Sequence, residues 1–239
     1  MVLYNERFII LVFRGSANLS NWITDLDKKL TGFKQGSGYV HAGFYKSVQE
    51  MERAINSILK LVRTNNQKIY ITGHSLGGAQ ALLSAFVCDS LKDFERITTF
   101  GQPRVGDKNF AKWVTEKIQN DAKNKSKYFR VVNKYDPVAN LPYWGYYHCN
   151  NFYLSCNEGE NYTCKDGEFK RPFGGTTESM VEDIKAVNSE SMVEDIKAVN
   201  SESMVEDIVA IKFNLFANHY MELYLKNAFR NINYDPFHR

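Results

Sequence analysis

The sequence lacks the features that mark several large classes of protein. None of its apolar runs approaches the roughly 20 residues that a membrane-spanning helix needs. Its 30 basic and 27 acidic residues leave a formal net charge of only +3, which gives no argument for a nucleic-acid partner. With 239 residues, of which 44% are hydrophobic and 24% charged, the chain is instead predicted to fold as one sizeable globular domain.

Cysteine is also scarce, at four residues, and these residues form none of the common metal motifs. There is no Cys-x-x-Cys and no cluster of cysteine and histidine with the spacing of zinc ligands. Cys88 lies in an apolar helical run and is predicted to be a buried thiol. Cys156 and Cys164 would close a short polar loop, as disulfides do in secreted proteins. Three Asn-x-Ser/Thr sequons also permit glycosylation, so we predict a protein that is secreted or lies in the secretory pathway.

The first residues contain no recognisable signal peptide. Glu6 and Arg7 precede an apolar run, Phe8–Phe13, that is too brief for a signal sequence and is followed by no small-residue cleavage site. We predict that this run is a buried strand ending at Arg14. A chain that opens on a core strand is what a fragment or an incomplete gene model would give, so we expect N-terminal elements of the fold to be missing.

Strands and helices are predicted to alternate as far as Asn133, which indicates an α/β fold. Apolar, unbroken strands separated by helices are typical of a largely parallel sheet with helices on both faces. Beyond Pro142 the sequence becomes aromatic and then polar, and it is predicted to form a strand and loops. The predicted strands are Arg7–Phe13, Lys68–Thr72, Arg96–Gly101 and Lys127–Asn133, and the predicted helices are Leu19–Leu30, Gly43–Thr64, Leu76–Cys88 and Lys108–Asp121.

A duplicated segment follows. The run "ESMVEDIKAVNS" occupies Glu178–Ser189 and again Glu190–Ser201, and a diverging third copy begins at Glu202. This spacing matches no standard solenoid period, and the identity of the copies indicates a recent duplication. We predict a single domain over residues 1–239 with a duplicated surface insertion at about 178–213; an oligomer or membrane contact is the alternative.

The pattern Gly-x-Ser-x-Gly, centred on Ser75, lies between a predicted strand and a predicted helix. This is the nucleophile elbow of hydrolases, in which the serine adopts a strained backbone conformation and its neighbours must be small. The turn projects the hydroxyl at the end of the strand and aims the Leu76 N–H and the helix N-terminus at the reaction centre. The alternative is a glycine-rich turn in which Ser75 is only structural.

A nucleophilic serine needs a histidine base, and in hydrolases with this elbow the chain order is serine, then acid, then histidine. His41 precedes Ser75 and is therefore excluded. His74 adjoins the nucleophile and cannot turn back to it, His148 lies in an aromatic run where histidines are more often structural, and His238 is at the extreme terminus. His219, at the start of a helical segment, is therefore the predicted base.

The base needs a carboxylate on a loop after a later strand. Asp136 follows a predicted strand and precedes a proline, although alone it would also suit an ordinary turn; Asp107 is the rival. The oxyanion hole is predicted from the N–H of Leu76 and from Ser16, in the loop after the first strand.

Six segments recur in one order between about Phe8 and Tyr224. They are "VFRGS…NWITDL", "VHAGF", "ITGHSLGGAQALL", "TFGQPRVGD", "RVVNKYDPVANLP" and "NHYMELY". Together they resemble the fungal-type triacylglycerol lipases, the class 3 lipase family of the α/β-hydrolase fold. The resemblance implies that the catalytic and oxyanion-hole residues are Ser75, Asp136, His219, Ser16 and Leu76.

The same resemblance makes "ANLSNWITDLDKKL" a lid. One face of it carries an apolar stripe of Trp22, Ile23, Leu26 and Leu30. A closed lid would bury this stripe over the site, and an open lid would present it to a lipid surface. The alternative is that these side chains pack in the core.

We therefore predict a serine esterase that acts on lipid esters at a lipid–water interface, as a monomer with transient contact to a membrane or droplet. The reaction is a two-step acyl transfer through an acyl-enzyme, for which no metal or cofactor is expected. Two alternatives remain: an esterase for soluble or carbohydrate-linked esters of the feruloyl type, and a non-catalytic relative. The duplicated segment enlarges the connection between acid and base, and the segment before the "FRGS" strand is shorter than in the family.

Overall fold

A seven-stranded sheet forms the centre of the fold. The computed structural model describes residues 1–16, 29–64, 66–119, 127–133 and 136–149, and the backbone of two further strands at 153–156 and 163–165. Within these residues the strands and α-helices are, in chain order, β1 (Val2–Tyr4), β2 (Phe8–Phe13), β3 (Leu30–Gly32), β4 (Tyr39–His41), α1 (Ala42–Val62), β5 (Lys68–His74), α2 (Leu76–Val87), β6 (Arg96–Phe100), α3 (Lys108–Gln119), β7 (Tyr128–Asn133), β8 (Tyr153–Cys156) and β9 (Thr163–Lys165).

The strands of this sheet pair in the order β1-β2-β5-β6-β7-β8-β9. The five from β2 to β8 are parallel, and β1 and β9 join the two edges in antiparallel orientation. This confirms the largely parallel sheet expected from the sequence. Because parallel strands point the same way, β5, β6 and β7 all end on one side, which we call the carboxyl end of the sheet. Ser75 and Asp136 both follow strands there.

The hydrophobic patterns of the sequence explain the core. Alternate side chains of β2 are buried, whereas α2 is buried almost throughout and consists mainly of small and aliphatic residues. α1 lies against α2 and is amphipathic: Val48 and Leu59 are fully buried, whereas Leu61 is 85% exposed. The helices predicted at 43–64, 76–88 and 108–121 are confirmed to within about two residues.

One helix boundary predicted from the sequence is wrong. Leu30, expected on the apolar face of a helix that begins at Leu19, is instead the first residue of β3 and pairs with His41 of β4. Thr31 and Gly32 follow it, and both are poor helix formers, which disfavours a helix at this point. Pairing of β3 with β4 supplies the backbone hydrogen bonds of this segment instead. The rest of the predicted helix, including Trp22, Ile23 and Leu26, lies outside the described residues.

Burial settles one expectation about the cysteines. Cys88 is fully buried, as predicted, and burial together with Glu52 and Asp89 raises the pKa of its thiol to about 12. β8 and β9 form an antiparallel hairpin that contains Cys156 and Cys164, and their disulfide stays a prediction. In the part of the chain that is described, no helix combines the length and apolar character of a membrane span. The duplicated segment at 178–213 is outside that part, so its surface location stays a prediction.

Candidate active site

Ser75 occupies a sharp turn between β5 and α2. Its backbone has φ 56° and ψ −129°, and it is the only residue other than glycine with positive φ among those described. Such a conformation costs of the order of 1–3 kcal/mol and persists only where the surroundings enforce it. Here the Ser75 N–H donates to the Phe100 carbonyl (3.0 Å), and the Ser75 carbonyl accepts from Gly78 N–H (2.9 Å).

Two glycines make this turn possible by allowing backbones to approach closely. A Cβ atom at Gly73 would collide with the Gly77 carbonyl, and one at Gly77 would collide with the carbonyl of Phe13. The start of α2 therefore lies directly against the ends of both β5 and β2. The requirement for small residues that the sequence pattern predicts is thus a steric one.

The Ser75 side chain is buried at the N-terminus of α2. The residue is 1% exposed, and its Oγ has no hydrogen-bond partner among the described residues. Leu76 is the first residue of α2, and the first N–H groups of a helix have no acceptor within the helix. These donors and the helix dipole favour negative charge beside the serine.

The loop after β2 reaches this turn. A Cβ atom built on Gly15 would lie 2.7 Å from the His74 carbonyl oxygen and 3.3 Å from the Ser75 Cβ. Ser16, predicted for the oxyanion hole, is therefore adjacent to a glycine that lies close to His74 and Ser75. Nothing in the local sequence singles out Gly15, because the segment that it approaches, His74–Ser75, is far away in the chain.

Asp136 follows β7, at the same end of the sheet as Ser75, which follows β5. One strand, β6, lies between β5 and β7. It is fully buried. Its Oδ1 accepts from Val138 N–H (2.8 Å), and its own N–H donates to the Asn133 carbonyl (3.0 Å). The carboxylate thus has a fixed orientation within a tight turn.

The rival acid, Asp107, has a structural role in the described residues. Its Oδ1 accepts from Phe110 N–H (2.8 Å), as a cap at the start of α3. The same oxygen accepts from Tyr39 N–H (3.0 Å), which joins the β4 segment to α3. These two hydrogen bonds give the Asp107 carboxylate a structural role, which favours Asp136 as the catalytic acid.

Two of the other histidines are part of the framework. His41 caps α1, since its Nδ1 accepts from Phe44 N–H (3.3 Å) and its ring stacks on the Phe44 ring at 4.0 Å between centroids. His148 Nε2 lies 2.6 Å from the Ala139 carbonyl oxygen. His219, the predicted base, and His238 are outside the described residues, and their positions are not given by the structure.

His148 stabilises the turn that follows Asp136. This role of His148 was not predicted from the sequence. Burial, and secondarily the charges of Arg130 and Arg104, hold the pKa of His148 well below 6.5, so the ring is neutral at pH 7. A neutral ring that donates through Nε2 to Ala139 fastens the short 3₁₀ turn Val138–Asn140, directly after Asp136. An aromatic local sequence carries no signal for such a bond.

The comparisons with known proteins converge. The sequence model of one family, lipase (class 3), matches residues 10–146. A lipase of Rhizomucor miehei is 35% identical over 161 residues, covering 62% of this chain and 42% of that protein. A secreted mono- and diacylglycerol lipase 1 of Fusarium solani is 36% identical over 152 residues, covering 61% and 43%. The chain thus spans less than half the length of these two relatives.

Solved structures agree with the sequence matches. The triacylglyceride lipase of Rhizomucor miehei superposes with a TM-score of 0.57 at 30% identity, covering 76% of this chain and 70% of that one. Lipase II from Rhizopus niveus gives a TM-score of 0.55 at 28% identity, covering 75% and 69%. A triacylglycerol lipase whose catalytic centre is formed by a serine protease triad gives 0.57 at 30%, covering 76% and 70%. The α/β-hydrolase fold expected from the sequence is confirmed.

Proposed function

Because the chain belongs to the class 3 lipase family, we propose that it is a serine hydrolase that cleaves carboxylic esters of lipids through an acyl-enzyme on Ser75. One observation carries the proposal: Ser75 has a strained, positive-φ backbone and a buried hydroxyl at the N-terminus of α2. A serine with only a structural role in a turn would gain nothing from that strain, and glycine would serve better.

In the proposed reaction, His219 takes the Ser75 proton as Oγ forms a bond to the ester carbonyl carbon. The negative charge then lies on the former carbonyl oxygen, where the N–H groups of Leu76 and Ser16 stabilise it. His219 returns the proton to the departing alcohol, and a water molecule, activated by the same histidine, hydrolyses the acyl-enzyme. Asp136 orients His219 and stabilises its charged form.

The proposed substrate is an acylglycerol at a lipid–water interface. Several of the similar proteins are named lipases, and among them are a triacylglycerol lipase and two secreted mono- and diacylglycerol lipases. The apolar residues proposed for the lid, Trp22, Ile23 and Leu26, suit contact with lipid, whereas Leu30 belongs to β3. Secretion is proposed because two of the similar proteins are named secreted lipases, and a monomer is proposed from the sequence alone.

Ester hydrolysis by the Ser75→Ala variant tests the proposal. With a soluble aryl ester as substrate, the variant is expected to lose at least about a thousandfold in kcat, as nucleophile removal does in other serine hydrolases. The matched control is Ser37→Ala, at an exposed serine between β3 and β4, which retains the parent rate. Equal rates for Ser75→Ala and the parent would contradict the assignment.

The substrate class needs a separate measurement. Rates on emulsified triglyceride and on soluble aryl esters are compared as the substrate concentration crosses its solubility limit. A lipase is expected to show a rise in rate once the substrate forms a separate phase. A rate that saturates below that limit, with little turnover of emulsion, would favour an esterase for soluble or carbohydrate-linked esters.

A further inference from the structure

The segment that follows Asp136 has an unusual surface. From Pro137 to Cys149 it contains no lysine, arginine, aspartate or glutamate. Part of it, which we call the aromatic loop (residues 141–147), has exposed side chains that are all aromatic: Trp144 is 65% exposed, Tyr147 is 39% exposed, and Tyr143 is partly exposed. The segment itself therefore offers a partner no charged side chain.

The aromatic loop lies at the carboxyl end of the sheet, beside the proposed active site. Arg104, in the loop that follows β6, donates from its backbone N–H to the Leu141 carbonyl (2.6 Å). Its guanidinium Nη1 also lies within reach of the carbonyls of Pro142 (3.4 Å) and Tyr143 (3.3 Å). A bridge between Gly106 and Tyr147 fastens the other end. Trp144 is therefore presented by a backbone that is held at both ends.

Holding Trp144 in water has a cost that a folded protein usually avoids. Large aromatic side chains are mostly buried, and tryptophan and tyrosine are enriched where one part of the ring meets an apolar phase and another meets water. At membrane surfaces the same two residues form belts at the level of the lipid headgroups. The composition of the aromatic loop matches this environment.

Four other exposed apolar side chains lie in different surroundings, whereas Tyr39 (54% exposed) is near the aromatic loop, beside Gly106. Leu61 and Ile58 lie on the outer face of α1, next to Lys60 and Arg63, and Leu3 and Tyr4 lie on the edge strand β1. Of these, Leu61 is close to the C-terminal end of α1, which leads to the start of β5 at the opposite end of the sheet. Leu61 thus provides a comparison residue with the same kind of exposure at a different place.

We propose that the aromatic loop is a fixed anchor that inserts Trp144 into a lipid surface, independently of the lid. The proposal rests on the proposed function, since it locates the contact by which a lipid-ester hydrolase would reach its substrate. The partner is a lipid–water interface of zwitterionic or neutral lipid, bound by transfer of apolar surface rather than by charge. Such binding places the carboxyl end of the sheet, and with it Ser75, towards the lipid.

The experiment measures partition of the full chain onto phosphatidylcholine vesicles by flotation, in the Ser75→Ala background so that hydrolysis plays no part. Removing an exposed indole from an inserted site is expected to lower the partition coefficient by at least about tenfold in Trp144→Ser. Leu61→Ser is the matched control and is expected to bind as the parent does. Circular dichroism and thermal unfolding verify that both variants are folded.

Two further readouts separate the proposal from its alternatives. Binding should be unchanged between low and high NaCl, because the loop is uncharged; binding that weakens steeply with salt would indicate attraction by the protein's net positive charge and would overturn the proposal. In a Trp22→Phe background, which removes the tryptophan of the proposed lid, tryptophan fluorescence should be quenched by brominated phosphatidylcholine. Trp144→Ser should then lose most of the quenching, because the remaining Trp113 packs against Phe33 and Phe86.

Each remaining outcome is informative. Equal partition of the parent and Trp144→Ser would overturn the proposal. Analytical ultracentrifugation gives a second test. If the parent sediments as a dimer and Trp144→Ser as a monomer, the aromatic loop contacts a second copy of the chain and the proposal is overturned. Failure of the proposed function is distinguishable: the parent would then fail to hydrolyse esters while vesicle binding by the Ser75→Ala protein remained intact.

Discussion

At the scale of single residues, the positive φ of Ser75 is the backbone conformation that depends most on its surroundings. It holds φ 56° because hydrogen bonds to Phe100 and from Gly78 fix it on both sides, and because Gly73 and Gly77, two residues away on either side, allow the backbones of the turn to approach closely. The strain is stored in the folded state and is compensated by packing elsewhere. Substitutions at the flanking glycines are therefore expected to affect stability and chemistry together.

Gly77→Ala tests this coupling. The added methyl group would collide with the carbonyl of Phe13, which belongs to β2 and cannot move without disturbing the sheet. We expect a loss of about 1–3 kcal/mol in the free energy of unfolding, as for other overpacked sites, together with a large fall in kcat for a soluble ester. Urea unfolding and initial rates measure the two effects.

The control is Gly32→Ala, in the exposed part of β3, where a Cβ atom meets nothing within 4 Å. It is expected to change stability by less than about 0.5 kcal/mol and to leave kcat unchanged. A Gly77→Ala protein with parental stability and activity would show that the close approach of α2 to β2 is not required.

His148 predicts how stability depends on pH. Its folded pKa is held well below 6.5 by burial and by Arg130 and Arg104, so the unfolded chain binds a proton below about pH 6.5 that the folded protein does not. His148 therefore makes its full contribution to the free energy of unfolding above about pH 6.5. This contribution decreases as the pH falls below that value. The slope is up to roughly 1.4 kcal/mol per pH unit. Urea unfolding at a series of pH values measures it.

The comparison is with His148→Gln, whose amide can donate to the Ala139 carbonyl in place of Nε2 but does not titrate. Between about pH 6.5 and pH 5, the stability of this variant should fall less steeply than that of the parent. Carboxylates contribute equally to both proteins and cancel. Identical slopes would mean that the folded protein does not hold the pKa of His148 below its value in the unfolded chain.

At the scale of secondary structure, the helices and central strands were predictable because their apolar residues recur with the periods of the elements. α1 has the clear helical stripe, and β5, β6 and β7 are short apolar runs bounded by polar residues. β1, β3 and β4 have three residues each, too few to show a period, and they form because they pair with neighbours that local sequence does not reveal.

Two leucines on α1 test whether its buried face stabilises the fold. Leu59 is fully buried against the core, and Leu61, two residues later, is 85% exposed. Leu59→Ala is expected to lower the free energy of unfolding by about 2–5 kcal/mol, because it removes buried apolar atoms and leaves a cavity.

Leu61→Ala is the control on the same helix, with the same change in side chain and in helix propensity. It is expected to alter stability by less than about 0.5 kcal/mol. Chemical denaturation of both variants measures the difference. Similar losses at the two positions would contradict the packing of α1 described above.

At the scale of the whole molecule, the predictability of the site follows from chain order and sheet direction. Ser75 and Asp136 were predicted because both follow strands, and parallel strands bring their carboxyl ends together. Asp136 and Asp107 are both aspartates in turns after strands, and the bonds of Asp107 to Tyr39 and Phe110 support the proposal of Asp136 as the acid. The support from His148 and Arg104 could not be predicted, because each joins segments that only the folded chain brings together.

Catalysis by the proposed triad requires residues from both halves of the chain. The described residues up to 149 contain the proposed nucleophile and acid, whereas the proposed base, His219, follows the duplicated segment. Lengthening a connection adds little to the entropy of closing it, so the duplication by itself does not prevent His219 from reaching Ser75. Assembly of the complete triad in this chain is therefore the central claim.

Labelling with an alkyl phosphonate that reacts with activated serines, followed by peptide mapping, tests that claim most directly. We predict a single adduct on Ser75, formed much more slowly in His219→Ala and at the parent rate in His238→Ala. A folded protein that stays unlabelled, or one in which His219→Ala reacts as fast as the parent, would contradict the account.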